Sequence, residues 1–418
     1  MASNKKIEID GIDGSGKTTV VSMLRNTYPG FEILDRGLMS KLTDIFLDDE
    51  PEIVNEFDPE TIYIIFDVDL GICINRLIQR GIPRDKYETY GALFGYQKRF
   101  RRLAIQFQTY YIDTSDKTVD EVHNLVCEII TNKPDTYKLP NPDMYSEEMF
   151  KKLPLLIEGE SKEIRIINTK FTLVKYKPTV YSFKSNRAGE IPETDYQRMQ
   201  MTKFILYILE MESVPHCYWY IGKNYVLCEY LDPKKDIPPV EVVVKKCCIG
   251  SDKHRYYKIN EKLTRSGERL VDGTNSEYPN IVVRFDYRNP NYVTDDDGKQ
   301  KRLCDETLCD DLADQMIDVR CAKYLAKKTF NVLDKHFKEM NIYFEDICFM
   351  INTCGSSHYS EISQDCGRYK KMDENNMESL DKDIWRAGGS SPLVLEKWRK
   401  MTEITKTYVK SIYHNLAK

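Results

Sequence analysis

Lys6-Ile7-Glu8-Ile9-Asp10 alternates apolar and polar residues as a short half-buried strand does, and Thr19 to Arg25 reads as the helix that follows it. Gly30 to Gly37 predicts a second strand, ending in Asp35-Arg36, with a short helical stretch to about Leu47 and an acidic loop through Asp58. Pro59 to Val68 is a continuous apolar run, the pattern of a strand covered on both faces in a parallel sheet. Asp69 to Arg80 reads as a helix stopped by Gly81, and a basic, aromatic helix is expected from Tyr87 to Tyr110. Tyr111 to Asp113 is a brief last strand, and Val119 to Thr131 a closing helix. The alternation of strand and helix predicts a doubly wound α/β domain with a parallel sheet over residues 1–132.

Prolines 134, 140, 142 and 154 sit among polar residues, so residues 133–154 are expected to be a linker. The pattern then changes. Leu155 to Asn168 reads as a hairpin bent at Gly159, and strands are expected at Phe171 to Tyr176, Tyr218 to Ile221, Asn224 to Tyr230, Val240 to Val244, Pro279 to Phe285 and Ile342 to Ile351. Helices are expected at Met199 to Met211, over most of Cys309 to Met340, and from Leu393 to Leu416. Strands first and helices later predict an α+β domain over residues 155–418.

Composition narrows the functional classes. With 41% hydrophobic residues, 28 Tyr and 16 Phe, the 418-residue chain has ample material for two cores. A net charge of −5 argues against broad neutralisation of a nucleic-acid backbone. Twelve cysteines without a C-x-x-C pair read as thiols of a reducing cytoplasm, and no apolar run reaches membrane-spanning length. A cytoplasmic protein without a membrane partner is expected, its oligomeric state open, a homo-oligomer included.

The most specific chemistry lies in Gly11-Ile12-Asp13-Gly14-Ser15-Gly16-Lys17-Thr18-Thr19, which fits the phosphate-loop pattern G-x-x-x-x-G-K-[ST] between a strand and a helix. Glycines 11, 14 and 16 let backbone N–H groups curl around phosphate oxygens, Lys17 adds a point charge, and the Thr18 hydroxyl suits Mg²⁺. Asp13 cannot help to hold a triphosphate. A donor such as a sugar hydroxyl explains it better, so ATP is the expected cofactor and a nucleotide the expected acceptor.

This loop, the Asp35-Arg36 pair, the strand from Pro59 to Asp69 with its helix to Arg80-Gly81, and the Ile112-Asp113 strand together resemble thymidylate kinase over residues 5–132. The resemblance implies that Asp13 meets the nucleotide sugar, that Asp35 and Arg36 face the acceptor with Arg36 on its phosphate, and that Arg80 and Arg84 belong to a closing lid. Only 18 positions separate Lys17 from Asp35. Thymidylate kinases insert more here to grip the acceptor base, so the acceptor side is expected to be trimmed.

The second half resembles SAICAR synthetase, over residues 155–400. The resemblance rests on Gly159-x-x-Lys162, Lys203-Phe204 ahead of Val214-Pro215, and Val240-Glu241-Val242-Val243-Val244-Lys245 followed by Gly250-Ser251. It rests also on Ser360-Glu361-Ile362-Ser363-Gln364-Asp365 with Arg368, and on Leu380-Asp381-Lys382-Asp383-Ile384-Trp385-Arg386. It implies a phosphate role for Lys162, a nucleotide-substrate role for Glu241, Lys245, Ser251 and Arg368, and an acceptor site near Lys382, Asp383 and Arg386. Three positions depart from the family pattern: lysine for arginine at 245, serine for aspartate at 360, and cysteine for glutamate near 348. The last two are Mg²⁺ carboxylates in the relatives, and Asp346 and Glu361 are the expected substitutes. Tyr292 to Lys301, with Asp295-Asp296-Asp297-Gly298, is expected to be a solvated turn.

The expected function is that of a two-domain, ATP-dependent enzyme of nucleotide metabolism or modification. The N-terminal domain would transfer phosphate to a thymidylate-like nucleotide, and the C-terminal domain would condense a nucleotide carboxylate with an amine or amino acid. The domain pairing suggests a phage or other viral pathway. The alternatives are a kinase whose C-terminal half only binds nucleotide, and a nucleotide sensor.

Overall fold

Four short strands form the centre of the first unit in the computed structural model, which describes residues 5–49, 56–81, 86–182, 187–256, 258–273, 276–289, 292–373 and 376–416. They lie in the order Glu32–Asp35, Lys6–Gly11, Ile62–Asp67, Tyr110–Asp113, all parallel. Every residue of Ile62–Asp67 is buried, as expected of a strand with neighbours on both edges and helices on both faces. Helices Lys17–Thr27 and Val119–Asn132 contribute Val20, Val21, Leu24, Val122, Val126 and Ile129 to one core with Ile7, Ile9, Ile64 and Phe66. Side chains fix the helix starts. Asp69 accepts from the N–H groups of Gly71 and Ile72, and Thr118 and Glu121 form a reciprocal capping box. The unit comprises residues 1–150 with residues 210–213 and 409–418.

Residues 133–154, expected as a linker, carry two single-turn helices and the helix Glu147–Lys152, in which Phe150 is fully buried. Alternating prolines and polar residues thus conceal an apolar anchor.

The second unit, residues 151–209 and 214–408, has two antiparallel sheets. One runs Tyr218–Ile221, Val226–Glu229, Phe171–Tyr176, Lys162–Ile166, Leu155–Glu158, with Gly159 N–H closing the first hairpin onto the Lys162 carbonyl at 2.9 Å. The other runs Glu306–Leu308, Glu277–Tyr287, Val240–Cys247, Ile342–Phe349, Gly367–Asp373, Asn376–Ser379. Helix Val319–Glu339 packs on it through a ring cluster: Phe344 stacks on Phe330 at 4.4 Å and on Tyr369 at 5.1 Å, while Phe337 meets Phe344 edge-on. Tyr292–Thr294 and Gln300–Arg302 form a small separate hairpin, its turn closed by Asp295, which accepts from the N–H groups of Asp297 and Lys299.

Phe344→Ala is expected to lower the stability of this unit by about 3–5 kcal/mol, the range for emptying a packed aromatic site. A urea midpoint within experimental error of the unaltered chain would show that the ring cluster carries no such weight.

Candidate functional site

In the first unit, strand Lys6–Gly11 runs straight into the phosphate loop. Gly14 and Gly16 take φ of 79° and 90°, a region that favours glycine, and a Cβ on Gly14 would press on Cys73. Lys17, only 4% exposed, donates from Nζ to the Ile12 carbonyl at 2.8 Å. Burial lowers its pKa against the opposing pull of Asp13 and Asp35. Ser15 Oγ is buried without a partner. A buried cation, an unpaired hydroxyl and a left-handed backbone turn form a cradle that an anion would complete.

Beside the loop, Thr18 Oγ1 donates to Asp35 Oδ2 at 2.5 Å, and Asp35 Oδ1 is buried without a partner. Asp35, expected on the acceptor, therefore stands with Thr18 as a hydroxyl and carboxylate of the kind that holds Mg²⁺. Thr19 is exposed. Arg36, at φ 68°, pairs with Asp13 at 2.5 Å and is largely open to solvent. Arg80 pairs with Glu88, and Arg84 lies outside the described residues. A cavity of about 230 Å³ adjoins the loop. Gly11, Ile12, Asp13 and Arg36 line it together with Ser40, Thr43, Asp44, Tyr87, Leu93, Tyr96 and Phe100. Its walls come from helices Leu38–Leu42 and Tyr90–Gln106, far apart in sequence, which is why the motif scan missed it.

In the second unit, a cavity of about 1110 Å³ gathers Glu241, Lys245, Ser251, Asp346, Arg368, Asp383 and Arg386, all expected from sequence, and adds Arg255, Arg284, Asp286, Asp305, Glu345, Cys348 and Lys370. Register explains the convergence: Lys245 pairs across the sheet with Asp346, and Asp346 with Arg368. Ion pairs run through this wall in alternating sign. Arg386 meets Asp383 at 2.5 Å, Asp383 meets Arg368 at 2.8 Å, Arg368 meets Asp346 at 2.6 Å, and Asp346 meets Lys245 at 3.3 Å. Lys245 reaches Asp252 at 3.7 Å, which holds Arg284 at 2.8 Å, itself paired with Asp286 at 2.7 Å. Arg284 also donates to Ser251 Oγ at 3.2 Å. Gly250, at φ 61°, lets the Arg368 guanidinium lie close over the backbone. Lys382 pairs with Asp365 at 2.9 Å and does not line the cavity.

The expected Mg²⁺ carboxylates do not fit a metal. Both oxygens of Glu361 are engaged, Oε2 by Arg198 at 2.9 Å and Oε1 by Lys162 at 3.2 Å, and Asp346 is held by Arg368 and Lys245. Ser360 Oγ accepts from Lys162 at 2.7 Å, so Lys162 is committed to this cluster. Cys348 donates its thiol to Glu241 at 2.9 Å, and burial beside that carboxylate pushes its pKa well above the ordinary value, leaving no thiolate to bind a cation. Among the described residues no group of three His, Cys, Asp or Glu side chains converges on a metal position. Arg198 was not singled out from sequence. A lone arginine in the largely buried helix Thr194–Met211 was the available signal. No described helix is long and apolar enough to cross a membrane.

The family model described as SAICAR synthetase matches residues 155–403. A curated relative, bifunctional cordycepin biosynthesis cluster protein 3 of Cordyceps militaris, is 25% identical over 308 residues, 64% of this chain and 34% of the relative; the chain thus spans about a third of that relative's length. Phosphoribosylaminoimidazole-succinocarboxamide synthase of Ehrlichia chaffeensis is similar with a TM-score of 0.49 and 19% identity, over 60% of this chain and 98% of that one. A type 2 SAICAR synthetase in complex with ADP gives 0.48 and 21%, over 60% and 96%. Thymidylate kinase of Candida albicans gives 0.25 and 16%, over 33% and 96%.

Burial alone would raise the Glu361 pKa, but Arg198 and Lys162 hold it down from 4.5 to about 2. A depressed carboxyl pKa contributes stability in full above about pH 4.5, and that contribution is lost as pH falls through about 2. Glu361→Gln is expected to cost about 3–5 kcal/mol near neutrality, because Arg198 stays buried without its countercharge. It should also flatten the acid limb of the stability profile between those two pH values. An acid limb identical to that of the unaltered chain would refute this assignment.

Proposed function

The chain belongs to the SAICAR synthetase family through residues 155–403, and on that footing we propose that its second unit is an ATP-dependent ligase joining a nucleotide carboxylate to an amine. The observation that carries the reading is the convergence of Lys245, Ser251, Arg284, Arg368 and Arg386 on one cavity wall. In such a reaction a carboxylate oxygen attacks the terminal phosphorus of ATP and ADP leaves. The amine nitrogen then attacks the acyl carbon, phosphate leaves, and the amine proton passes to a base. Two anions must approach each other in the first step, and cations fixed on strands and a rigid loop lower that cost. Lys245 and Arg368 would orient the nucleotide, and Glu241 is a carboxylate within the same cavity. No step is assigned to a metal in this unit.

For the first unit the reading is phosphoryl transfer from ATP to a nucleotide whose base enters the 230 Å³ cavity. Lys17 and the loop N–H groups would hold the phosphates, and Arg36 would meet the acceptor phosphate once Asp13 releases it. Thr18 and Asp35 would hold Mg²⁺, which when bound neutralises phosphate charge. The name of the Cordyceps relative describes that protein as bifunctional, which accords with two catalytic units here.

A second reading, nucleotide binding without turnover in the second unit, has one observation in its favour: Ser360 and Cys348, where the resemblance leads one to expect metal-binding carboxylates, both hydrogen bond within the protein.

Product analysis separates these readings. ADP that appears only with an acceptor nucleotide marks the first unit, ADP and phosphate that appear with an amine mark the second, and tight binding without either marks a binding module. Lys17→Ala is expected to lower acceptor-dependent ADP formation by about 10²–10³-fold, the scale for removing one preorganised charge; undiminished transfer would end the first assignment. Arg368→Ala should weaken nucleotide binding to the second unit by about 1.5–3 kcal/mol, the value of a charge-assisted hydrogen bond. Unchanged calorimetric affinity would end the second.

A further inference from the structure

On one side of the first unit's cavity the polar groups have already donated their hydrogens elsewhere. The Ser40 hydroxyl donates to Asp10, the Thr43 hydroxyl donates to the Ser40 carbonyl at 2.7 Å, and the Tyr96 hydroxyl donates to Asp44 Oδ2 at 3.3 Å. Arg99 is fixed on Asp44 Oδ1 at 2.8 Å by a guanidinium that also lies over the Tyr96 ring. A hydroxyl that has given its one hydrogen offers only lone pairs, and a carboxylate with one donor on each oxygen keeps about two acceptor sites. The Asp44 side chain remains 34% exposed, so those sites are open. These three hydroxyls and the Asp44 carboxylate accept hydrogen bonds and give none, and the rings of Tyr96 and Phe100 line the cavity alongside them.

At about 230 Å³ the cavity is smaller than the roughly 300–1,000 Å³ of pockets that enclose a whole ligand. It suits a base, with sugar and phosphate at the mouth beside Asp13 and Arg36. Bases differ in what they show an acceptor-only wall. Guanine offers a ring N–H and an exocyclic amino group side by side, a match for the two oxygens of Asp44. Thymine offers one N–H between two carbonyls, and each carbonyl would face a lone pair. Adenine and cytosine present an amino group next to a ring nitrogen acceptor, one match and one mismatch. A polar group buried against a group of its own kind forfeits its hydrogen bond to water without replacement.

Resting on the phosphoryl-transfer reading of this unit, we propose that the cavity selects a base with two neighbouring N–H donors, the guanine pattern, through Asp44, and rejects thymine. This departs from the thymidylate-like acceptor that the resemblance to thymidylate kinase implies.

The test is calorimetric binding of the monophosphates of guanosine, inosine and thymidine to the full chain carrying Arg368→Ala, which weakens the second unit's nucleotide site, with the part of the signal that Asp44→Asn removes assigned to the first unit. Inosine lacks only the exocyclic amino group of guanosine. Guanosine monophosphate should bind about tenfold or more tightly than either of the others, one matched hydrogen bond to a charged group. Asp44→Asn should abolish that preference, and Tyr96→Phe, which removes a hydrogen that does not face the ligand, should preserve it. Equal affinities, a preference that survives Asp44→Asn, or no binding of any of the three would overturn the proposal. If Asp44→Asn does not fold, the guanosine and inosine comparison decides alone. Failure of the phosphoryl-transfer reading looks different: the base ranking would stand while no acceptor-dependent ADP forms.

Discussion

The second unit depends on one fully buried guanidinium. Arg198 has no exposed surface, yet it donates to Glu361, to the carbonyls of Lys177 and Thr179, and to that of Ser161. A charge withdrawn from water needs full hydrogen bonding to be tolerated, so these partners are fixed in position by its presence. Its four contacts tie helix Thr194–Met211 to the turn of the first hairpin, to the chain after strand Phe171–Tyr176, and to the loop that leads into strand Gly367–Asp373. Lys162 joins from the hairpin side and completes the neutralisation of Glu361. The loop so pinned delivers Gly367 and Arg368 to the cavity wall.

That arrangement fixes the surroundings of positions 348 and 360 as well. Once Lys162 sits on Ser360 and Glu361, its ammonium is within hydrogen-bond distance of the one and ion-pair distance of the other. On the neighbouring strand the Cys348 thiol donates to Glu241, whose carboxylate faces Arg288 at 3.6 Å. In both places the protein's own cations balance the carboxylate charge. A carboxylate in place of Ser360 would add a negative charge beside Glu361, where Lys162 already has one carboxylate partner.

What could be read from sequence was what is contiguous in sequence. The phosphate loop from Gly11 to Thr19, the buried run at Ile62–Asp67 and the hairpin at Gly159 are written in consecutive residues, and each was legible from period and turn chemistry. Lys245, Ser251, Arg368 and Arg386 were legible as members of motifs, and the sheet register brings them together. The first unit's cavity was not legible, because Asp44 and Tyr96 lie 52 positions apart and meet only in the folded chain. Nor did sequence reveal the partners of Glu361. A carboxylate in a motif looks the same whether it holds a metal or a buried arginine, and only the location of Arg198 and Lys162 decides.

The alternating ion pairs of the large cavity have a kinetic side. Seven carboxylates and six cations among its described lining residues leave little net field at the mouth. Long-range steering requires an excess of one sign, and screening by salt acts chiefly on such an excess. On the ligase reading, an anionic substrate would be recognised on contact, by displacing a carboxylate from a cation it already occupies. Simple anions would gain little concentration in the cavity from a diffuse positive potential. Such a site would trade speed of capture for discrimination by shape.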